Sequence, residues 1–278
     1  MPTATDICPD LVAEQEDLEA QLGSLTRKQW QAPTPAVGWT VQDSVAHICY
    51  FDETAALAAT DPAAFEAHRL ALRRQTSADG PPDLAFSRST RDPSVVLDRW
   101  RTARRTFVEA IIAVDPKARV PWYGLAMSPA SLTTARLMET WAHGVDVRDA
   151  VGTPLAPTHR LRHVCDLGYR ARAYAFASHD VEDPGDPVGL IVAAPDGGQW
   201  TWGPDTARDT IRGPALDVAL VFTQRRHPSR TAVVASGPTA RRWLTVAQAF
   251  AGPGTRTDPD RCGRDRTDLS AAGRPHRR

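Results

Sequence analysis

The chain has 278 residues, 42% of them hydrophobic, enough for a real core in one large domain or two modest ones. Its 33 basic residues balance 33 acidic ones, and no long block before the tail carries one sign, which argues against a nucleic-acid or membrane-surface footprint and leaves a small molecule as the expected partner. No apolar run approaches the ~20 residues that span a bilayer, and "MPTATDICPD" lacks the charged and apolar regions of a signal peptide, so a cytoplasmic protein is expected.

In chain order, the first helix carries Leu11, Leu18, Leu22 and Leu25 at near-helical spacing, with acidic residues on its other faces. The prolines and glycine of "QAPTPAVGWT" interrupt it. A second helix follows in "TVQDSVAHICYFDETAALAA", where Thr40 and Asp43 match a capping box and His47 falls in the second turn. Asp61-Pro62, Asp92-Pro93 and Ser128-Pro129 each pair an N-cap residue with a first-turn proline and mark three further helix starts. Between them, "SADGPPDLAFSRSTRD" reads as an exposed loop.

The helix in "VVLDRWRTARRTFVEAIIAV" is expected to present Val95, Val96, Trp100, Phe107, Ile111 and Ile112 to a core and its arginines, from Arg99 to Arg105, to water rather than to an anion. In "LMETWAHGVDVRDAVG", Glu139, His143 and Asp146 are spaced four and three apart, which stacks them on one helix face as a metal-site constellation or a solvated stripe.

After "DVEDPGDP" the pattern changes. "VGLIVAAPDGGQWTWG" reads as a hairpin turning at Asp196-Gly197-Gly198, Gly213-Pro214 starts a helix, "TAVVAS" is a short strand, and Gly237-Pro238 starts a last helix. The expected organisation is therefore mainly α: a helical domain over residues 1–180, a small α+β domain over 186–252, and a disordered tail at 253–278 with almost no large apolar residues. Cys8, Cys49, Cys165 and Cys262 form no CxxC pair and read as free thiols, Cys49 as a buried one.

A catalytic metal usually takes three protein ligands and keeps an open position, so Glu139 and His143 require a third. His47 is the best candidate, because it lies on an apolar helix between Ala46 and Ile48, whereas His68 is flanked by Glu66 and Arg69, and the other histidines fall in loops, polar faces or the tail. Spacing alone leaves open that these are ordinary hydrogen-bonded or surface residues.

"GWTVQDSVAHICYFDE", "PWYGLAMSPASLTTARLMETWAHGVDVRDAVG" and "WTWGPDTARDTIRGPALDVALVFTQRR" with "RRWLTVAQAFAGP" closely resemble the actinobacterial metal-binding proteins related to mycothiol-dependent maleylpyruvate isomerase, within the DinB-like four-helix-bundle superfamily. The resemblance spans about residues 7–254. It implies a divalent metal, commonly zinc, on His47, Glu139 and His143. It also implies a sterol-carrier-like C-terminal domain that supplies an arginine to the cleft for the thiol cofactor mycothiol, with Arg225 and Arg226 the nearest equivalents. The implied reaction is addition of a thiolate to a conjugated double bond, rotation about that bond, and expulsion, for a net cis–trans isomerisation.

Asp146 is expected to orient His143, with plain surface exposure the main rival and a fourth ligand or a general base as further alternatives. Trp39, Trp122, Trp141 and Tyr123 read as core and cleft wall, and Tyr123 alone among them has a usable proton, which makes it the catalytic candidate. The functions left open are a mycothiol-dependent isomerase or S-transferase, a thiol-independent metal-dependent isomerase or cyclase, and a non-catalytic metal-binding protein, as monomer or homodimer.

Overall fold

The computed structural model describes residues 2–74, 82–90 and 92–252; the tail at 253–278, with Cys262 and His276, lies outside the described residues. The chain divides into two compact units, Met1–Leu167 and Gly168 onward.

The first unit contains α1 (Ala4–Gly23), α2 (Arg27–Trp30), α3 (Val41–Thr60), α4 (Pro62–Leu72), α5 (Pro82–Ser89), α6 (Pro93–Ile112) and α7 (Pro129–Val151), and the start of α8 (Leu161–Arg170). Four of these form the bundle: α3 packs on α6 and α7, and α1 packs on the same two. Sequence-encoded stops and starts cut the helices to length. Thr40 and Asp43 close a capping box at the start of α3, Asp61 and Asp92 cap α4 and α6 ahead of first-turn prolines, and Ser128 caps α7, which ends at Gly152 in a left-handed conformation (φ 73°). Leu18 and Leu22, Val41, Val45 and Ile48, and Val96, Trp100 and Ala103 meet in one buried cluster. Val95 and Ile112, expected in that core, are about half exposed (45% and 48%), because each lies a ~100° step around α6 from its buried neighbour; Leu97 and Ala103 are buried instead.

The arginines of α6 do more than face water. Arg99 forms a two-point pair with Glu53 of α3, and Arg101 and Arg104 both reach Glu19 of α1. They latch the seams of the bundle, each exposed pair contributing at most ~1 kcal/mol.

The stretch expected to be a loop before Asp92 contains α5, and a side-chain scaffold explains it. Gln42 Nε2 donates to the carbonyls of Ser87 (2.8 Å) and Thr90 (2.9 Å), Ser87 Oγ donates to Asp43, and Leu84 is buried. Tertiary contact thus overrides a weak local signal, and α5 is held against the first turn of α3.

At the centre of the bundle, Asp52 on α3 accepts hydrogen bonds from Arg136 Nε on α7 (2.8 Å) and Trp100 Nε1 on α6 (3.0 Å), while Arg136 Nη2 donates to the carbonyl of Ile48. The ion pair is buried from water, with side-chain exposures of 0% and 3%.

The second unit holds the end of α8, α9 (Arg172–Ser178), and a four-stranded sheet of order β2-β1-β3-β4, from β1 (Val188–Ala193), β2 (Gln199–Trp202), β3 (Asp209–Pro214) and β4 (Val234–Ser236). β1 and β2 form the expected hairpin, Leu190 opposite Trp202 and Ala193 opposite Gln199, with Gly197 at φ 86° in the turn. β3, not foreseen, runs parallel to β1 and antiparallel to β4. Its terminal Pro214 opens α10 (Ala215–Phe222), and α11 (Pro238–Val246) follows β4. The start of α11 is capped from a distance: Asp209 accepts from the backbone of Thr239 (2.6 Å) and Ala240 (3.1 Å). Gly237 precedes it at φ 90°, where an added Cβ would strike that carboxylate. Trp243, fully buried, packs on Phe222 and Tyr169.

Among the described residues, no helix is long and apolar enough to cross a membrane. Removing one partner of the central ion pair leaves the other charge buried and alone. Asp52→Ala should therefore cost ~3–5 kcal/mol in urea unfolding; a loss below ~1 kcal/mol would show that the pair does not hold the helices together.

Candidate metal centre

α3 carries His47 one turn beyond the capping residue Asp43, and α7 carries Glu139, His143 and Asp146 along one face. In the bundle these faces meet. One ligand atom from each of His47, Glu139 and His143 lies within 4.8 Å of the others, with His143 Nε2 3.5 Å from Glu139 Oε2. Zinc bonds of ~2.0–2.2 Å place neighbouring ligand atoms at about that separation, so small side-chain rotations can close the set around one ion.

Each imidazole has a carboxylate at its other nitrogen. His47 Nδ1 lies 2.6 Å from Asp83 Oδ2, and His143 Nδ1 lies 3.2 Å from Asp146 Oδ2. A proton held at Nδ1 leaves the opposite nitrogen as the lone-pair donor, which is how histidine ligands are usually oriented. Aromatic rings fix the planes: Trp39 stacks on His143 at 5.7 Å and 11° and lies 4.9 Å from His47, whose other side meets Phe51 at 4.7 Å.

The protonation states suit a cation. Burial lowers the pKa of His47, outweighing the pull of Asp83. Burial would raise that of Glu139, but the bond to and charge of His143, with His47 and Arg136, prevail and hold it at about 2. At neutral pH the site therefore offers a neutral imidazole and a carboxylate, the forms that bind metal. Two imidazoles and one carboxylate suit zinc or a similar divalent ion with room for a further ligand, so the residues present fit the implied metal.

Tyr123 lies in the turn closed by the Val120–Met127 bridge. Its hydroxyl is 3.3 Å from His68 Nε2 and 3.5 Å from the Tyr50 hydroxyl, which itself bonds His68 at 2.9 Å. This cluster is separated from His47 by the Phe51 ring, which contacts both Tyr123 and His47. Burial raises the pKa of Tyr123, so it is a proton or hydrogen-bond donor rather than a base. Arg225 and Arg226 belong to the second unit, in the turn after α10, where Arg225 Nη1 donates to the Thr223 carbonyl and Arg226 Nη1 to that of Arg225.

Asp83 was missed in the sequence, and His68 was weighed there only as a metal ligand and set aside. Asp83 carried no signal beyond a carboxylate near a proline pair. His68 lies three residues from Phe65, which is fully buried, and that spacing marks a shared helix face.

Residues 11–148 match the family described as the mycothiol maleylpyruvate isomerase N-terminal domain. Uncharacterised proteins from two strains of Mycobacterium tuberculosis are each 41% identical over 244 residues, 88% of this chain and 95% of theirs. The chain belongs to the mycothiol-dependent maleylpyruvate isomerase-like family. Crystal structures of the mycothiol-dependent maleylpyruvate isomerase and of a point mutant of it align with this family member at a TM-score of 0.55 and 14% identity, covering 86% of this chain and 99% of theirs. At that identity the likeness is one of fold.

If the three side chains hold one ion, His143→Ala in this family member should lose stoichiometric metal by elemental analysis while its circular dichroism stays unchanged. Undiminished metal content in that variant would reject the ligand set.

Proposed function

We propose that the protein is a metal-dependent isomerase or thiol transferase acting on a small organic substrate, with mycothiol as its thiol. The observation that carries this reading is the convergence of His47, Glu139 and His143, each histidine backed by a carboxylate. Family membership supports the reaction class, since the family takes its name from mycothiol and maleylpyruvate isomerase.

A divalent ion in such a site supplies Lewis acidity, which favours the thiolate over the thiol at neutral pH and polarises a carbonyl. The chain's own groups do the rest. Asp83 holds the His47 imidazole by a hydrogen bond at Nδ1, Asp146 sets a carboxylate 3.2 Å from His143 Nδ1 as an ion-pair contact, and Trp39 and Phe51 pack against the rings. In the isomerisation, the thiolate sulfur bonds to one carbon of a conjugated double bond and its electrons move onto the carbonyl oxygen. The resulting single bond rotates, and the electrons return as the sulfur leaves. No proton is gained or lost overall. Arg225 and Arg226 are the proposed cationic contacts for the thiol cofactor.

A second reading, a thiol-independent isomerase or cyclase, draws on the Tyr50–His68–Tyr123 cluster, which brings two hydroxyl groups and an imidazole into hydrogen-bond distance of one another. In it Tyr123, or Asp146 as a base, moves the proton that the thiol reading does not need.

The deciding experiment is turnover of conjugated enoyl acids by the metal-loaded protein with and without mycothiol. The thiol reading expects activity that vanishes without the thiol and that chelation abolishes. Full turnover in thiol-free buffer, lost on chelation and restored by metal, would defeat it and leave the second reading standing.

A further inference from the structure

The two imidazoles of the site obtain their carboxylate partners differently. His143 takes Asp146 from its own helix, so that pair forms as soon as α7 does. His47 has no such partner on α3, because Asp43, one turn before it, already caps the helix and accepts from Ser87. The partner of His47 is Asp83, which arrives from α5, 36 positions away in the chain. It is a well-enclosed contact, with side-chain exposures of 17% for His47 and 13% for Asp83.

Beside the packing of Phe86, polar side chains join α5 to α3 at three places along one stretch of helix. Gln42 donates to the carbonyls of Ser87 and Thr90, Asp43 accepts from Ser87, and His47 meets Asp83. Two of these seat the C-terminal half of α5, and the third is made by a metal ligand. A ligand ring fixed on one side by an ion presents its other nitrogen to Asp83 in a single orientation. A ring fixed by Asp83 presents its lone pair to the ion in a single orientation. Binding and seating must then strengthen each other by the same factor.

We propose that Asp83 is a positioning residue for His47 and that, through this contact, metal binding and the seating of α5 on α3 are coupled. The inference rests on the metal reading above. It goes beyond that reading by making α5 part of the site's response to metal, although α5 supplies no ligand.

The test uses full-length protein stripped of metal by chelator dialysis. Zinc affinity is measured by competition with a chromophoric chelator, and amide hydrogen exchange is followed in the peptide covering residues 82–90. In the unaltered protein, zinc should slow exchange in that peptide. Asp83→Asn should weaken zinc binding by about 10- to 100-fold and abolish the slowing. Asp146→Asn should weaken zinc comparably yet leave the α5 response to saturating zinc intact, which separates coupling from a general loss of affinity.

Zinc affinity unchanged in Asp83→Asn, or α5 exchange that still responds to saturating zinc as in the unaltered protein, would overturn the proposal. If Asp83→Asn does not fold, Ser87→Ala carries the test, because it loosens the seat without touching a ligand. It should weaken zinc measurably, and an unchanged affinity overturns the coupling. Failure of the unaltered protein to bind zinc at all would overturn the metal reading and this inference together, and it is read first.

Discussion

The bundle is organised by one buried ion pair, Asp52 with Arg136. Burying two charges is costly, and here every strong group is answered: the carboxylate takes Arg136 Nε and Trp100 Nε1, and the guanidinium also donates to the Ile48 carbonyl. The pair therefore works as a register pin. Asp52 lies five positions after His47 on α3, and Arg136 lies three before Glu139 on α7, so with the two helices antiparallel, matching Asp52 to Arg136 brings His47 level with Glu139 and His143. A slip of one residue along either helix would turn its face by ~100° and separate the ligands. The same guanidinium helps to hold the Glu139 carboxyl in its ionised form.

What could be read in the sequence was whatever is written locally. Thr40 with Asp43, and the Asp61, Asp92 and Ser128 caps before proline, act within three residues of themselves, and each begins a helix in the structure. The stacking of Glu139, His143 and Asp146 follows from helix geometry alone. What escaped is held by distant partners. α5 exists because Gln42 and Asp43 grip it from another helix, and Asp83 joins the site only through that grip. β3 contains polar Asp209 and Arg212 and ends in Gly-Pro, and its strand character comes from pairing on both sides with β1 and β4. Val95 and Ile112 were misassigned for a different reason: an apolar residue beside a buried one looks equally suited to the core, and only the phase of the packed helix decides.

Charge serves assembly in this molecule more than recognition. Arg99, Arg101 and Arg104 of α6 pair with Glu53 and Glu19, and Arg160 reaches Glu14 and Asp17 of α1 in the same manner. Near the candidate metal centre the pattern reverses, and carboxylates face imidazoles across short, enclosed distances. The first set of contacts joins helices to one another, whereas the second orients two rings in the site proposed to hold a cation.

The cysteines Cys8, Cys49 and Cys165 are all buried. Burial pushes the Cys8 thiol to about 11 and raises those of Cys49 and Cys165 as well. None of these sulfurs is a nucleophile at neutral pH. Conjugated electrophiles of the kind proposed as substrates alkylate accessible thiolates indiscriminately, and a catalyst that displayed its own would be consumed by its work. With these three sulfurs sealed inside helices, the proposed reaction would draw its reactive sulfur from a diffusible thiol, so that wear would fall on a replaceable co-substrate and not on the bundle.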